Sequence, residues 1–456
     1  MSGDRNMGVT ADLAAVFDGI KTLTDGDRRQ LHTLIIDFFA AAYAGAQLNR
    51  AFCDSVGEVM LGRGGTEEST VLFGKRRYPA QTAAFMNALY GHGAELDDGN
   101  KKAMGHIGVH VIPAVFALAD RLKSRGEDLL LALAVGYEAY IRISAAAQPG
   151  MVKRGFHSTG MAGALACAAA CAKLYGLNAG GIENAIALST TMSSGLLSYG
   201  DSRPAIKPLN PAAAAERGLF AAELAAKGVL GPTEALEGPN GWFHAVTDSV
   251  AMEMLKGSGR LLLHECYIKL YPSCRHTHCG IEAALGLRDR IGSRNVEKIR
   301  VHIYPNAIRL AGQIKYPKDG DETKFSIHYT LACALAKGAY GVSDMDPPDL
   351  SANVRTLIDR IELIPDERME DRARGIRGTR VEILTEGGEV FTNTVETPKG
   401  DPENPLSREE VVAKLRVCAG ERASEKTVSA VVAGITAIGG DKPFENPMKE
   451  TETKSE

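Results

Sequence analysis

Apolar residues recur at three-to-four spacing through most of the first half of the chain, the pattern of helices that turn one face to a core. In "TDGDRRQLHTLIIDFFAAAYAGAQ" this spacing predicts a helix that opens on Thr24 and Asp25 as caps and ends near Gly45. Pro79 suits the start of the next, through "AQTAAFMNALYGH". Two more are expected in "VIPAVFALADRLKSRG" and "EDLLLALAVGYEAYIRIS", with Gly126 between them as a stop. From His157 onward the helical segments "STGMAGALACAAACAKLYGL", "GIENAIALSTTMSSGLL" and "PAAAAERGLFAAELAAKGVLG" turn rich in small residues. Small side chains let helix axes approach closely, which places these segments at the centre of a helical domain.

After about residue 270 the period changes from helical to alternating. "KIRVHIYP" reads as a strand, and "RVEILTEGGEVFTNTVE" as two strands joined around Gly387 and Gly388. The expected fold class is therefore mainly α: an all-α helical domain over 10–268 and a smaller α+β domain over 269–406. Pro402 and Pro405 mark the loop that leaves the second domain. Ser407 with Glu410 forms a capping box for a last helix, within 407–440, that returns to the first domain. The polar stretch 441–456 is expected to be a disordered tail, and no internal repeat is found.

Composition narrows the partner. With 456 residues, 45% hydrophobic and 24% charged, the chain can bury a large core, and a formal charge of -4 gives no reason to expect nucleic acid or an anionic membrane. The N-terminus lacks a basic segment leading into an apolar run, and no stretch is read as a membrane span. Eight cysteines are scattered without a disulfide framework, so they are read as reduced core residues of a cytoplasmic protein. A small molecule is the expected partner.

Two clusters carry candidate chemistry. In "HGAELDDGNKKAMGHIGVHVIP", Glu95, Asp97 and Asp98 precede His106 and His110. The spacing matches neither an EF-hand loop nor a two-histidine helix motif, so no metal is expected there. A proton-transfer site and a solvated acidic loop both remain open; the first needs only a carboxylate or histidine beside a cationic pocket. The second cluster, "CYIKLYPSCRHTHCG", holds Lys269, Cys274, Arg275, His276, His278 and Cys279. Without a nearby CxxC or HxxxH it is not read as a zinc site. Lys269 and Arg275 suit carboxylate binding, with ordinary surface charge as the alternative. His157 in "RGFHSTG", Lys207 in "AIKPLNP" and Tyr329 in "KFSIHYT" stand out less: a cap, an exposed lysine and a packed aromatic are the plain readings.

The order "HGAELDDGNKKAMGH", "GFHSTG", "IKPLNPAAAAERG", "GPNGWF", "IKLYPSCRHTH", "KFSIHYTLACAL" and "GDPENPLSREE" resembles the MmgE/PrpD family across about residues 10 to 440. That family includes 2-methylcitrate dehydratase, cis-aconitate decarboxylase and iminodisuccinate epimerase. The resemblance implies a large all-α domain, a smaller α+β lid domain, a homodimer, no cofactor, and a site in the cleft between domains. By motif, the family's site falls on Glu95 with Asp97 and His106, then His157, Lys207, Lys269 and Tyr329, with His278 a weaker addition.

The residue types suit that chemistry: Lys207, Lys269 and Arg275 are the candidates for holding substrate carboxylates, His106 and His157 for base and acid in an unassigned order, and Tyr329 for a hydrogen-bond donor. The acidic loop would orient His106. Some positions depart from the decarboxylase-like pattern: Glu95 and Gly99 stand where that loop has Asp and Thr, one residue more precedes His106, Ile107 replaces a proline, and Cys274 and Arg275 differ. These departures rank elimination of water above decarboxylation. The expected activity is a cofactor-independent lyase of the hydratase or dehydratase type on a small di- or tricarboxylate or hydroxy acid. An isomerase or epimerase, a decarboxylase, and a non-catalytic carboxylate binder are the alternatives.

Overall fold

The computed structural model describes residues 8–198, 206–257, 259–371 and 374–451, and it is mainly α-helical. Two units partition the chain: Met1–Gly93, Asp97–Tyr267 and Ser407–Glu456 form one, and Ala94–Leu96 with Ile268–Leu406 form the other. The first domain expected from the sequence is thus interrupted at Ala94–Leu96.

In the first unit, Thr24 Oγ1 accepts from Asp27 N at 3.1 Å and Asp27 Oδ2 accepts from Thr24 N at 2.8 Å, a reciprocal cap that starts the helix Asp25–Leu48. This helix runs past the expected stop at Gly45. Lys123, in the left-handed region at φ 51°, terminates the helix Gly108–Leu122, whereas Gly126, expected as the stop, is the first residue of the helix Gly126–Ala146. The alanine-rich helix Ser158–Leu174 is buried at all but one position. A Cβ at Gly218, in the helix Leu209–Ala226, would collide with Cys167 and the backbone of Ala164, so the small residues serve the close approach of these two helices.

All-α is too strict a description of this unit. Two-residue ladders pair Ser69–Thr70 with Arg77–Tyr78 and Gly99–Asn100 with Cys266–Tyr267. Two helices, Asp25–Leu48 and Gly126–Ala146, are long and apolar enough to cross a membrane, which the sequence reading did not anticipate. Their apolar windows are 83% and 94% buried, as core helices of a large helical unit would be. All eight cysteines are free thiols.

The C-terminal segment also differs from expectation. Ser407 and Glu410 do form the capping box, but Gly420 (φ 50°) splits the expected single helix into Arg408–Ala419 and Glu425–Thr436. Residues 441–451 are not a loose tail: Phe444 stacks edge-on against Phe116 with ring centroids 5.0 Å apart, and Met448 is fully buried. The remaining five residues lie outside the described ones.

The second unit is built on a four-stranded sheet in the order Val390–Val395, Thr379–Thr385, Val296–Ile303, Ile361–Pro365. The first two pairings are antiparallel and the last parallel. Alternation decides the buried face: Ile299, Val301 and Ile303 join Val381 and Ile383 in one core with Ile281 and Leu287 of the helix His278–Ile291 and Leu331 of the helix Ile327–Lys337. The hairpin turns at Gly387 and Gly388, the latter at φ 82°.

Candidate active site

Asn100 shapes the acidic loop. Its N–H donates to Gly105 O at 3.0 Å, and its side-chain oxygen accepts from Lys102 N at 2.9 Å and Ala103 N at 3.0 Å. The chain therefore doubles back and returns His106 beside Asp97 and Asp98.

The two aspartates then take separate tasks. Asp98 secures the start of the helix Gly108–Leu122: its carboxylate accepts from Gly108 N at 2.8 Å and from Tyr137 OH at 2.8 Å. Burial, with the charge of Asp37 adding to it, pushes its pKa up to about 7. Asp97 instead gathers histidines. Its Oδ2 lies 2.9 Å from His92 Nδ1 and 3.2 Å from His106 Nδ1. Burial alone would raise the pKa of Asp97, but His106 and His92 outweigh it and hold the carboxyl well below the usual range. Its other oxygen, Oδ1, is buried without a hydrogen-bond partner among the described residues.

A third histidine joins this pair. The rings of His92 and His106 stand 4.9 Å apart and those of His92 and His157 6.2 Å apart. His157 is the N-cap of the helix Ser158–Leu174, its N–H donates to Gly195 O at 3.0 Å, and its Nδ1 lies 2.9 Å from Asn210 Nδ2. Asn210 N donates in turn to Lys207 O at 3.1 Å, which ties the buried Lys207 to the start of the helix Leu209–Ala226. Helix N-termini at Gly108, Ser158 and Leu209 carry partial positive charge that favours an anion. His92, the last residue of the helix Ala80–His92, sits at a negative end that favours a cation.

Of the residues expected from the sequence, Asp97, His106 and His157 come together, with Lys207 linked through Asn210. His92 and Asn210 were not singled out. His92 heads the very stretch that drew attention, and Asn210 stands in an Asn-Pro pair at a helix start. His110 is buried one turn beyond His106, donating from Nε2 to His106 O at 3.0 Å, and burial drops its pKa to about 3. It is a neutral core residue.

Glu95, Lys269, Arg275, His278 and Tyr329 all belong to the second unit. Lys269, expected to meet a substrate carboxylate, donates to Glu95 O at 2.7 Å and Glu95 Oε2 at 3.2 Å, with both side chains buried. Arg275, given the same expected role, donates from Nη2 to both Asp401 carboxylate oxygens at 2.7 and 2.6 Å. Buried cations need such counter-charges. Tyr329 is fully buried, and its hydroxyl donates to Asp344 O and accepts from Asp349 N at 2.8 Å. His278 is buried with its ring edge-on to Tyr271.

Two departures in the loop acquire physical reasons. A Cβ at Gly99 would overlap the Tyr267 hydroxyl, which the Gly99–Asn100 ladder brings alongside. Ile107 has φ -122°, outside the range proline allows, and its N–H faces Asp98 Oδ1 at 3.4 Å.

His92, Asp97 and His106 are the only histidine, cysteine or carboxylate group among the described residues with ligand atoms close enough, within 4.8 Å, to share a cation. The geometry favours hydrogen bonds over coordination. His106 Nδ1 also lies 2.9 Å from Asp98 O, a carbonyl that only accepts, so this nitrogen carries hydrogen. Among the described residues, the cysteines and histidines of "CRHTHC" form no such group.

The profile of the MmgE/PrpD N-terminal domain matches residues 16–254, and that of the MmgE/PrpD C-terminal domain matches residues 271–434. A cis-aconitate decarboxylase-like protein, oryM, of Aspergillus oryzae is 28% identical over 377 residues, 75% of this chain and 76% of that protein. Human cis-aconitate decarboxylase is 26% identical over 450 residues, covering 93% and 90%. Cis-aconitate decarboxylase of Aspergillus terreus (strain NIH 2624 / FGSC A1156) is 28% identical over 400 residues, covering 79% and 78%.

Proposed function

Because the chain belongs to the MmgE/PrpD family, we propose that it is a lyase acting on a small di- or tricarboxylate, with His106 as the group that moves a proton at the carbon beside a carboxylate. The supporting observation is the hydrogen-bonded set His92–Asp97–His106. An ionised Asp97 accepting from His106 Nδ1 steadies the imidazolium that forms when Nε2 takes up a proton. Lys207 and the three helix N-termini supply positive potential for the substrate carboxylates and for charge that builds on one of them.

Elimination of water is the leading reading. The base removes a C–H proton, the electron pair becomes the new C=C bond as the C–O bond breaks, and the proton leaves with the hydroxyl as water. Decarboxylation is the second reading, and the names of the relatives favour it. There the C–C bond to a carboxylate breaks, CO2 departs, and His106 in its protonated form returns a proton to the carbon. Both readings use the same side chains and need no cofactor. Quantifying CO2 release against unsaturated-acid formation, across a panel of hydroxy di- and tricarboxylates and cis-aconitate, separates them. Neither product from any acid would leave the lyase reading without support. The family resemblance also proposes a homodimer, which sedimentation at equilibrium tests.

A further inference from the structure

We infer that Asn210 is a positioning residue that fixes His157 as a neutral Nε2–H donor, the tautomer opposite to that of His106, so that His157 steadies negative charge instead of transferring a proton. This rests on the lyase reading only for the use to which that donor is put.

Neutral imidazole has one donor and one acceptor nitrogen, and the partner of one nitrogen decides the role of the other. His106 Nδ1 faces two acceptors, Asp97 Oδ2 at 3.2 Å and Asp98 O at 2.9 Å, so its hydrogen is on Nδ1 and, in the neutral ring, the lone pair is on Nε2. His157 Nδ1 faces the amide nitrogen of Asn210 at 2.9 Å, a donor, so its lone pair is on Nδ1 and its hydrogen on Nε2. That hydrogen bond exists only while the ring is neutral, because a protonated Nδ1 would set N–H against N–H. The backbone agrees with this assignment. His157 caps the N-terminus of the seventeen-residue helix Ser158–Leu174, whose positive end disfavours an imidazolium. Asn210 is itself held, through its N–H to Lys207 O at 3.1 Å and its place in the first turn of the helix Leu209–Ala226.

Two nearby histidines therefore divide the chemistry. His106, its Nδ1 3.2 Å from the Asp97 carboxylate, is the one of the two placed to act as base at Nε2. A neutral imidazole is a poor proton donor, since losing Nε2–H would leave an imidazolate, but it is a good hydrogen-bond donor to an oxyanion. During elimination the proton taken by His106 Nε2 is the one that leaves with the hydroxyl, and His157 Nε2–H remains on its nitrogen throughout. The proton balance closes on one base.

The test is the protonation pattern of the rings, read by long-range proton–nitrogen correlation NMR on protein labelled with 15N-histidine, with His157→Gln and His106→Gln to assign the signals. The expected result is a neutral His157 protonated at Nε2 and, in any neutral population of His106, protonation at Nδ1. Asn210→Asp, which puts an acceptor where the donor was, should move a proton onto His157 Nδ1. It should also lower kcat roughly 10²-fold with little change in KM, the size of effect seen on losing one oxyanion donor. Hydrogen on His157 Nδ1 in the wild type would mean that Asn210 presents its oxygen and would overturn the inference. An Asn210→Asp protein with the wild-type tautomer would overturn it too. The wild-type spectrum decides even if the variant fails to fold. It is also independent of turnover, so a protein that shows this tautomer yet converts no acid would contradict the lyase reading alone.

Discussion

His106 Nδ1 lies 3.2 Å from Asp97 Oδ2, and the same carboxylate oxygen lies 2.9 Å from His92 Nδ1. One buried anion thus orients two imidazoles, and in the proposed mechanism its charge steadies the imidazolium formed when His106 Nε2 takes up a proton. Asp97→Asn keeps the shape and removes the charge. It is expected to lower kcat by on the order of 10²- to 10⁴-fold while circular dichroism and monomer–dimer state stay as in the wild type. A steady-state comparison on the substrate found in the panel checks this, and an unchanged kcat would remove Asp97 from the mechanism.

Lys269 and Glu95 form a buried ion pair, with side-chain exposures of 1% and 6%. Removing one member strands the other's charge. Lys269→Met should therefore destabilise the protein by roughly 3–5 kcal/mol, and Lys269→Met with Glu95→Gln should recover much of that loss. Chemical denaturation of the two variants measures it. A Lys269 variant of wild-type stability with only a raised KM would return this lysine to the substrate-binding role expected from the sequence.

Stability should depend on pH through three buried groups. Burial lowers the pKa of His110 from 6.5 to about 3, so the unfolded chain binds a proton that the folded one refuses. Its contribution is present above 6.5 and is lost as pH falls through that window. Asp97, held below 3.8, adds a loss at still lower pH. Asp98 has the opposite sign: raised from 3.8 to about 7, its contribution is present below 3.8 and is lost as pH rises through 7. Urea midpoints across this range should fall on both sides of a maximum. His110→Asn should flatten the acid side and Asp98→Asn the neutral side; slopes unchanged in these variants would assign the dependence elsewhere.

If His106 Nδ1 carries hydrogen toward Asp97 and Asp98, no cation occupies that position in the working enzyme. Protein purified without a polyhistidine tag and treated with a chelator should retain full activity. Loss on chelation and recovery with one divalent metal would instead make His92, Asp97 and His106 a coordination set.

The periodic features of this fold were readable in the sequence because their cause is local. Three-to-four spacing marks the long helices, Ser407 and Glu410 cap each other across three residues, and Ile299, Val301 and Ile303 alternate on one strand. Residues 441–451 read as a loose tail because their polar composition hides Phe444 and Met448, two anchors whose partners, Phe116 and Asn87, lie far back in the chain. The site divides along the same line. Asp97 and His106 are near neighbours in sequence, whereas the counter-charge of Lys269 stands 174 residues away and that of Arg275 126 residues away. Both cations therefore read as available for substrate when considered alone. His92 went unremarked because its pairing depends on a helix end and a loop meeting in space.

The most direct measurement is proton NMR in deuterium oxide, with wild type, His106→Gln and Asp97→Asn incubated with citrate, 2-methylcitrate, cis-aconitate, malate, tartrate and aminodicarboxylic acids. Deuterium entering a carbon next to a carboxylate, or elimination at that carbon, in the wild type and lost in both variants, is the expected result. Exchange that persists at the wild-type rate in His106→Gln would contradict His106 as the proton-transfer group.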